Sequence, residues 1–128
     1  MKIDAAELAG TVKNLLDEYG DMAANVMAEA AWKTAGDVVK ELRKGGSYQG
    51  GEDYNRSWSR KMDKKRLYAS VKVYNKDHYQ LAHLLEFGHA KQNGGRTRAF
   101  PHIAPVNDRV EEIFRDNFTD LLAGEIIK

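Results

Sequence analysis

The fold turns on the stretch from Leu81 to Pro105, LAHLLEFGHAKQNGGRTRAFPHIAP, in which three of the chain's four histidines gather around one glutamate. From His78 to Phe87 the apolar residues Tyr79, Leu81, Ala82, Leu84 and Leu85 stand close to helical spacing, and Gly88 is a natural terminator for so short a helix. Asn93, Gly94 and Gly95 then mark a tight turn between two short extended arms, 88–92 and 96–100. Pro105 sits where the first turn of a helix tolerates a missing N–H. Beyond it Val106, Val110, Ile113, Phe114, Phe118, Leu121 and Leu122 make an amphipathic stripe that Gly124 closes. The stretch therefore reads as helix stop, hairpin and helix start.

Upstream, two strands are expected at Tyr54–Lys61 and Leu67–Tyr74, joined by a charged turn over Met62–Arg66. The second has the clearer signal, because Tyr68, Ser70, Lys72 and Tyr74 alternate with Ala69, Val71 and Val73. Before them, GGSYQGGED at 45–53 carries four glycines and no apolar run, the composition of a mobile loop. Earlier still, Asp4 and Glu7 resemble a capping box, and Leu8, Val12, Leu15, Leu16, Tyr19, Met22, Ala23, Val26, Met27 and Ala30 recur at three- and four-residue spacing. Val38, Val39 and Leu42 continue the pattern to Gly45. Uninterrupted, such a helix would run roughly 60 Å, too long for a compact domain with a radius of gyration of about 14 Å. Either Gly20 or Gly36 breaks it, or part of its stripe is buried by another subunit. The expected fold class is α+β: a long N-terminal helix, a small antiparallel β-sheet with a short helix and hairpin, and a C-terminal helix. One domain over residues 1–128 is expected, with the helix at 1–44 and an α+β core at 54–128.

Composition narrows the function classes. With 42% hydrophobic and 30% charged residues the chain has the balance of a water-soluble globular protein. It has no apolar run long enough to span a membrane and no signal-peptide pattern, so synthesis and folding in a cytoplasm, without membrane contact, are expected. The absence of cysteine removes disulfides, thiolate nucleophiles and Cys-type zinc sites. A net charge of +1 argues against gross affinity for nucleic acid but not against a local patch.

Such a patch exists. Arg56, Arg60, Lys61, Lys64, Lys65, Arg66 and Lys72 are interleaved with Trp58 and Tyr68 and opposed only by Asp63, a pattern that could hold phosphates with aromatics as stacking platforms. The plainer reading is a solvated hairpin whose lysines protect an edge. His83, Glu86 and His89 raise the question of a metal. Three-residue intervals turn successive side chains by about 60° on a helix, whereas helical zinc motifs place histidines at i and i+4. Gly88 would end the helix before His89, and a further ligand such as His102 would be needed. The structural reading has His83 flanking a buried stripe, Glu86 pairing with a cation or a backbone N–H, and His89 beginning a strand. Ser47, Ser57, Ser59 and Ser70 lack a nucleophile-elbow context, and no phosphate-binding glycine motif occurs. No cofactor is indicated.

The long first helix, Leu85-Glu86-Phe87-Gly88-His89, the Gly94–Gly95 turn, and Pro101-His102-Ile103-Ala104-Pro105 before a last helix resemble the minor tail component family of tailed phages, also called tail-completion or neck proteins. The stretch after Tyr54 resembles it more loosely. The resemblance covers most of the chain and is most specific from Leu81 to Pro105. It implies a non-enzymatic virion part, often ring-forming, that joins the head connector to the tail tube and is made in a host bacterium. It makes Glu86, Gly88, Pro101 and Pro105 fold-setting residues. Partners would then be further copies of the chain and other neck, connector and tail proteins, with weak contact to passing DNA. Trp32, Trp58 and Phe100 are candidate apolar anchors between subunits, and Arg96 and Arg98 candidate polar contacts. The competing expectation is a small metal-dependent hydrolase or nuclease using His83, Glu86 and His89.

Overall fold

The computed structural model describes residues 5–46, 48 and 51–127, with side chains described in the first helix at 14 and from 17 onward and in the last helix as far as 125. Asp4 and Ser47, and the side chains of Glu7, Leu8, Val12, Leu15 and Leu16, fall outside what is described, and with them the expected capping box. The architecture is α+β. A long helix α1 (Ala5–Arg43) is followed by a short α2 (Glu52–Arg56), an antiparallel pair β1 (Trp58–Lys65) and β2 (Tyr68–Asn75), a 3₁₀ turn at Tyr79–Leu81, α3 (Ala82–Phe87), α4 (Ala104–Asn107) and α5 (Val110–Ile127).

α1 is unbroken, so neither Gly20 nor Gly36 interrupts it. At about 1.5 Å per residue it extends nearly 60 Å, and its last turn carries Lys40 and Arg43, which complement the helix dipole. It stops at Gly45, whose φ of 86° and N–H to the Leu42 carbonyl (3.0 Å) make a glycine C-cap. Gly36 has a different purpose from a break. A Cβ there would lie 2.5 Å from Nη1 of Arg60, whose guanidinium stacks on Trp32 at 3.7 Å from the ring centre. Trp32 and Gly36, one turn apart, form the seat for a side chain of β1.

The strands are shifted from their expected places. Tyr54 to Arg56 is helical, Met62 to Lys65 belongs to β1, and the turn is only Arg66 and Leu67. The extended register buries one face of the ribbon: Trp58, Arg60 and Met62 stand opposite Asn75, Val73 and Val71 and pack toward α1. Period-two alternation then leaves Ser59, Lys61, Asp63, Lys65, Tyr68, Ser70 and Lys72 facing outward. Starting the strand at Tyr54 and ending it at Lys61 would have left Met62 and Lys64 unpaired.

The C-terminal helix is also split. Pro105 stands in the first turn of α4, but the chain pauses at Asp108 and Arg109 before α5 begins, and α5 passes through Gly124 to Ile127. Val38, Val39 and Leu42 of α1 meet Tyr54, Trp58 and Val106 in the buried core, with Val73, Leu85, Ile103 and Val110 around them. α5 lies against α1 through Asn117, whose amide donates to Thr34 and Asp37, both at 3.1 Å.

Candidate functional site

Glu86 organises the stretch from Leu81 to Pro105. It sits on α3 with only 6% of its surface exposed, and both carboxylate oxygens are taken up by backbone. Oε1 accepts from the N–H groups of His102 and Ile103, both at 2.8 Å, and Oε2 from that of Ala104 at 2.9 Å. These are donors at the start of α4, which has no capping side chain of its own. Glu86 is thus an N-cap supplied from another element. Burial alone would push its carboxyl up, but the three N–H donors, aided by His102, hold it below the ordinary value.

Around this clamp the aromatic residues close ranks. Nδ1 of His102 lies 2.7 Å from the Phe100 carbonyl, which can only accept, so the proton belongs on Nδ1. Nε2 is then free to accept from the Tyr54 hydroxyl at 2.7 Å. Burial, with the Glu86 charge nearby, pushes the Tyr54 hydroxyl up to about 12. Tyr54, Trp58 and His102 pack edge to face or tilted, with centroids 5.4 to 6.2 Å apart. The indole Nε1 of Trp58 is buried with no acceptor among the described residues.

His83, Glu86 and His89 are not brought together as a ligand set. His83 is exposed, Glu86 points into the backbone of residues 102–104, and His89 is exposed with Nδ1 3.1 Å from the Thr97 hydroxyl. Among the described residues no three His, Asp or Glu converge on a point that could hold a metal. Gly88 separates the two halves. Its φ of 70° turns the chain sharply, and a Cβ would strike the Thr97 carbonyl at 2.6 Å. The hairpin arm beyond it is held by the Ala90–Arg96 bridge and by the Thr97 N–H to the His89 carbonyl at 2.8 Å. Pro101 and Pro105 flank the clamped backbone.

The basic patch divides into two kinds of cation. Arg56 pairs with Asp53 at 2.8 Å, Arg66 with Asp21 at 3.0 Å, and Lys64 donates to Asn25 at 3.0 Å. Arg60 donates to the Trp32 carbonyl while stacking on its ring. Arg60, Lys64 and Arg66 therefore fasten the ribbon along α1. Lys61, Lys65 and Lys72 lie on the other face and have no ion-pair partner among the described residues.

Of the anchor candidates, Trp58 is only 4% exposed and enclosed by its own chain. Trp32 is 36% exposed beneath Arg60, Phe100 is half-buried against Tyr48, and Arg96 and Arg98 are exposed. Phe87 and Tyr79 are more open than the three aromatic candidates, at 73% and 65%. Helical spacing placed Tyr79 in an apolar stripe and gave Phe87 no place in it, and so short a segment has too little pattern to show the exposure of either. A cleft of about 590 Å³ opens between α1, β2 and the α4–α5 segment, lined mainly by Val38, Val71, Val73, Ile103, Val110 and Phe114. Two of its polar side chains are engaged: Asn75 donates to the Tyr54 carbonyl and accepts from the His78 N–H, and Thr34 meets Asn117.

Comparison with known proteins adds one match. A family model described as "Bacteriophage HK97-gp10, putative tail-component" matches residues 11–88, from α1 through both strands to the end of α3. The match stops short of the Pro101–Pro105 block, and it covers the N-terminal half in which the sequence resemblance is looser. No curated protein and no solved structure matches the chain.

Proposed function

Because the chain belongs to the HK97-gp10-like family of phage tail components, we propose that it is a non-enzymatic structural protein of the virion neck, joining the head connector to the tail tube as one unit of an oligomeric ring. The family match over residues 11–88 carries this reading. The geometry supports it in three ways. α1 runs well beyond the ribbon turn, which reaches it at Asp21, and Tyr19 beyond that point is largely exposed. Phe87, Tyr79 and Leu81 put apolar surface on one short segment. The hairpin arm at 89–96 is exposed throughout and carries Arg96 into solvent, with Arg98 just beyond it. These surfaces, with Trp32 and Phe100, are the proposed contacts to neighbouring copies and to other neck and tail proteins. Residues 1–128 act as one unit in this proposal, helix at 1–44 and α+β core at 54–128, and DNA passing through the ring makes at most weak contacts with it.

Two measurements test it. Light scattering across a wide concentration range is expected to show a discrete multimer, and mass spectrometry of purified particles should find the chain in the virion. Strictly monomeric behaviour combined with absence from particles would falsify the neck assignment.

A further inference from the structure

Charge is segregated in this chain in a way that its net value hides. Between Trp58 and Asn75 six Lys and Arg residues stand against one Asp, and in α5 five carboxylates stand against one arginine. After internal pairing, three lysines remain on the outward face of the ribbon. Lys61 is directly opposite Lys72, and like charges so placed repel across a sheet. The Tyr74 ring, 5.2 Å from the Lys61 ammonium, offers only partial relief. On α5, Glu112, Asp116 and Asp120 follow one another at i, i+4 and i+8, all exposed, and like charges at that spacing also repel. Arg115 gives them no help, because it is paired with Glu111 at 2.9 Å.

We propose that the outward face of the β1–β2 ribbon docks on the outward face of α5 of a second copy of this chain, Lys61, Lys65 and Lys72 meeting Glu112, Asp116 and Asp120. The spacings agree. Lys61 and Lys65 are about 13 Å apart along a strand, and Glu112 and Asp120 about 12 Å apart along a helix. The two stripes do not meet within one chain, because both elements turn their inward faces to α1. The contact joins two different surfaces, so it runs head to tail and closes into a ring where the rotation permits. Exposed ion pairs each add little to affinity, because water and salt screen them. Charge therefore sets orientation and register, while Tyr68, 62% exposed on the same ribbon face, supplies apolar contact. This interface rests on the ring reading above and specifies one of its contacts.

The test uses full-length chains in sedimentation velocity at low and high salt. Reversing the ribbon (Lys61→Glu, Lys65→Glu, Lys72→Glu) or the helix (Glu112→Lys, Asp116→Lys, Asp120→Lys) is expected to turn a salt-sensitive multimer into monomer with unchanged far-ultraviolet circular dichroism. Mixing the two reversed chains, or combining both sets in one chain, should restore assembly. The neutral set Lys61→Gln, Lys65→Gln, Lys72→Gln guards against misfolding of a reversed chain and should weaken association about tenfold. Assembly indifferent to all these changes would overturn the interface and leave the ring reading standing. A wild-type chain that never assembles would overturn both. If reversing the ribbon leaves assembly intact but removes salt-dependent binding to duplex DNA, the face belongs to phosphate and the docking proposal is wrong.

Discussion

At the scale of single residues, Glu86 shows how a glutamate that resembles a metal ligand in sequence becomes a structural anion. Its carboxylate satisfies three backbone donors that no local side chain reaches. Leaving buried N–H groups unpaired costs roughly 1–3 kcal/mol for each, so Glu86→Ala is expected to lose on the order of 3 kcal/mol or more. Glu86→Gln retains one acceptor oxygen but aims an NH₂ at a donor, and should lose a large part of the same amount. The pH dependence carries a sign. The folded-state carboxyl is held below its ordinary value, so its contribution is complete above the unfolded value and is lost as pH falls through the folded one. Urea melts at neutral and acid pH check this: the wild type should weaken toward acid more steeply than Glu86→Gln. An equal acid slope in the two would show that other carboxylates govern acid unfolding. The sequence alone gave Glu86 as a partner of a cation or a backbone N–H, and the second half of that alternative is what the structure contains. The identity of the donors was not legible, because residues 102–104 are brought to Glu86 only by the turn at Gly88 and the hairpin that follows.

At the scale of elements, two glycines of one helix do different work. Gly20 has nothing within 4 Å of where a Cβ would stand, whereas at Gly36 that atom would lie 2.5 Å from Arg60. Alanine is favoured over glycine inside a helix by about 1 kcal/mol, so Gly20→Ala should raise the denaturation midpoint. Gly36→Ala should gain the same propensity and lose the guanidinium stacking on Trp32, ending neutral or destabilised. In an Arg60→Ala background the clash is absent, and Gly36→Ala should then stabilise as Gly20→Ala does. Additive effects of the two substitutions would mean that Arg60 does not use the seat. Helical periodicity revealed α1, α3 and the C-terminal helix. It could not distinguish a breaking glycine from an admitting one, since that depends on a side chain 24 positions away. Strand boundaries slipped for a related reason: Met62–Arg66 looks like a turn by charge, yet Lys64 and Arg66 find Asn25 and Asp21 on α1 and extend the ribbon to its tip.

At the scale of the whole molecule, the interior is thin for the length of chain. Among the described residues no large side chain is completely buried, the cleft between α1, β2 and α5 stands open at about 590 Å³, and Phe87, Tyr79, Leu67 and Tyr68 are mostly in solvent. Small domains bury a smaller share of their surface and are correspondingly marginal. Repulsion within the ribbon and along α5 adds to that. Assembly would offset these deficits together, covering apolar surface and placing opposite charges side by side, and an equilibrium that binds only the folded chain raises its apparent stability by mass action. The midpoint of thermal unfolding is therefore expected to rise with protein concentration, by several degrees over a hundredfold range for a chain of about this size. High salt should reduce the rise by screening exposed charges. Calorimetry or circular dichroism melts at graded concentration and salt measure both effects. A midpoint independent of concentration would place all of the stability within the single chain, and the open cleft and exposed aromatics would then need an occupant other than a second copy.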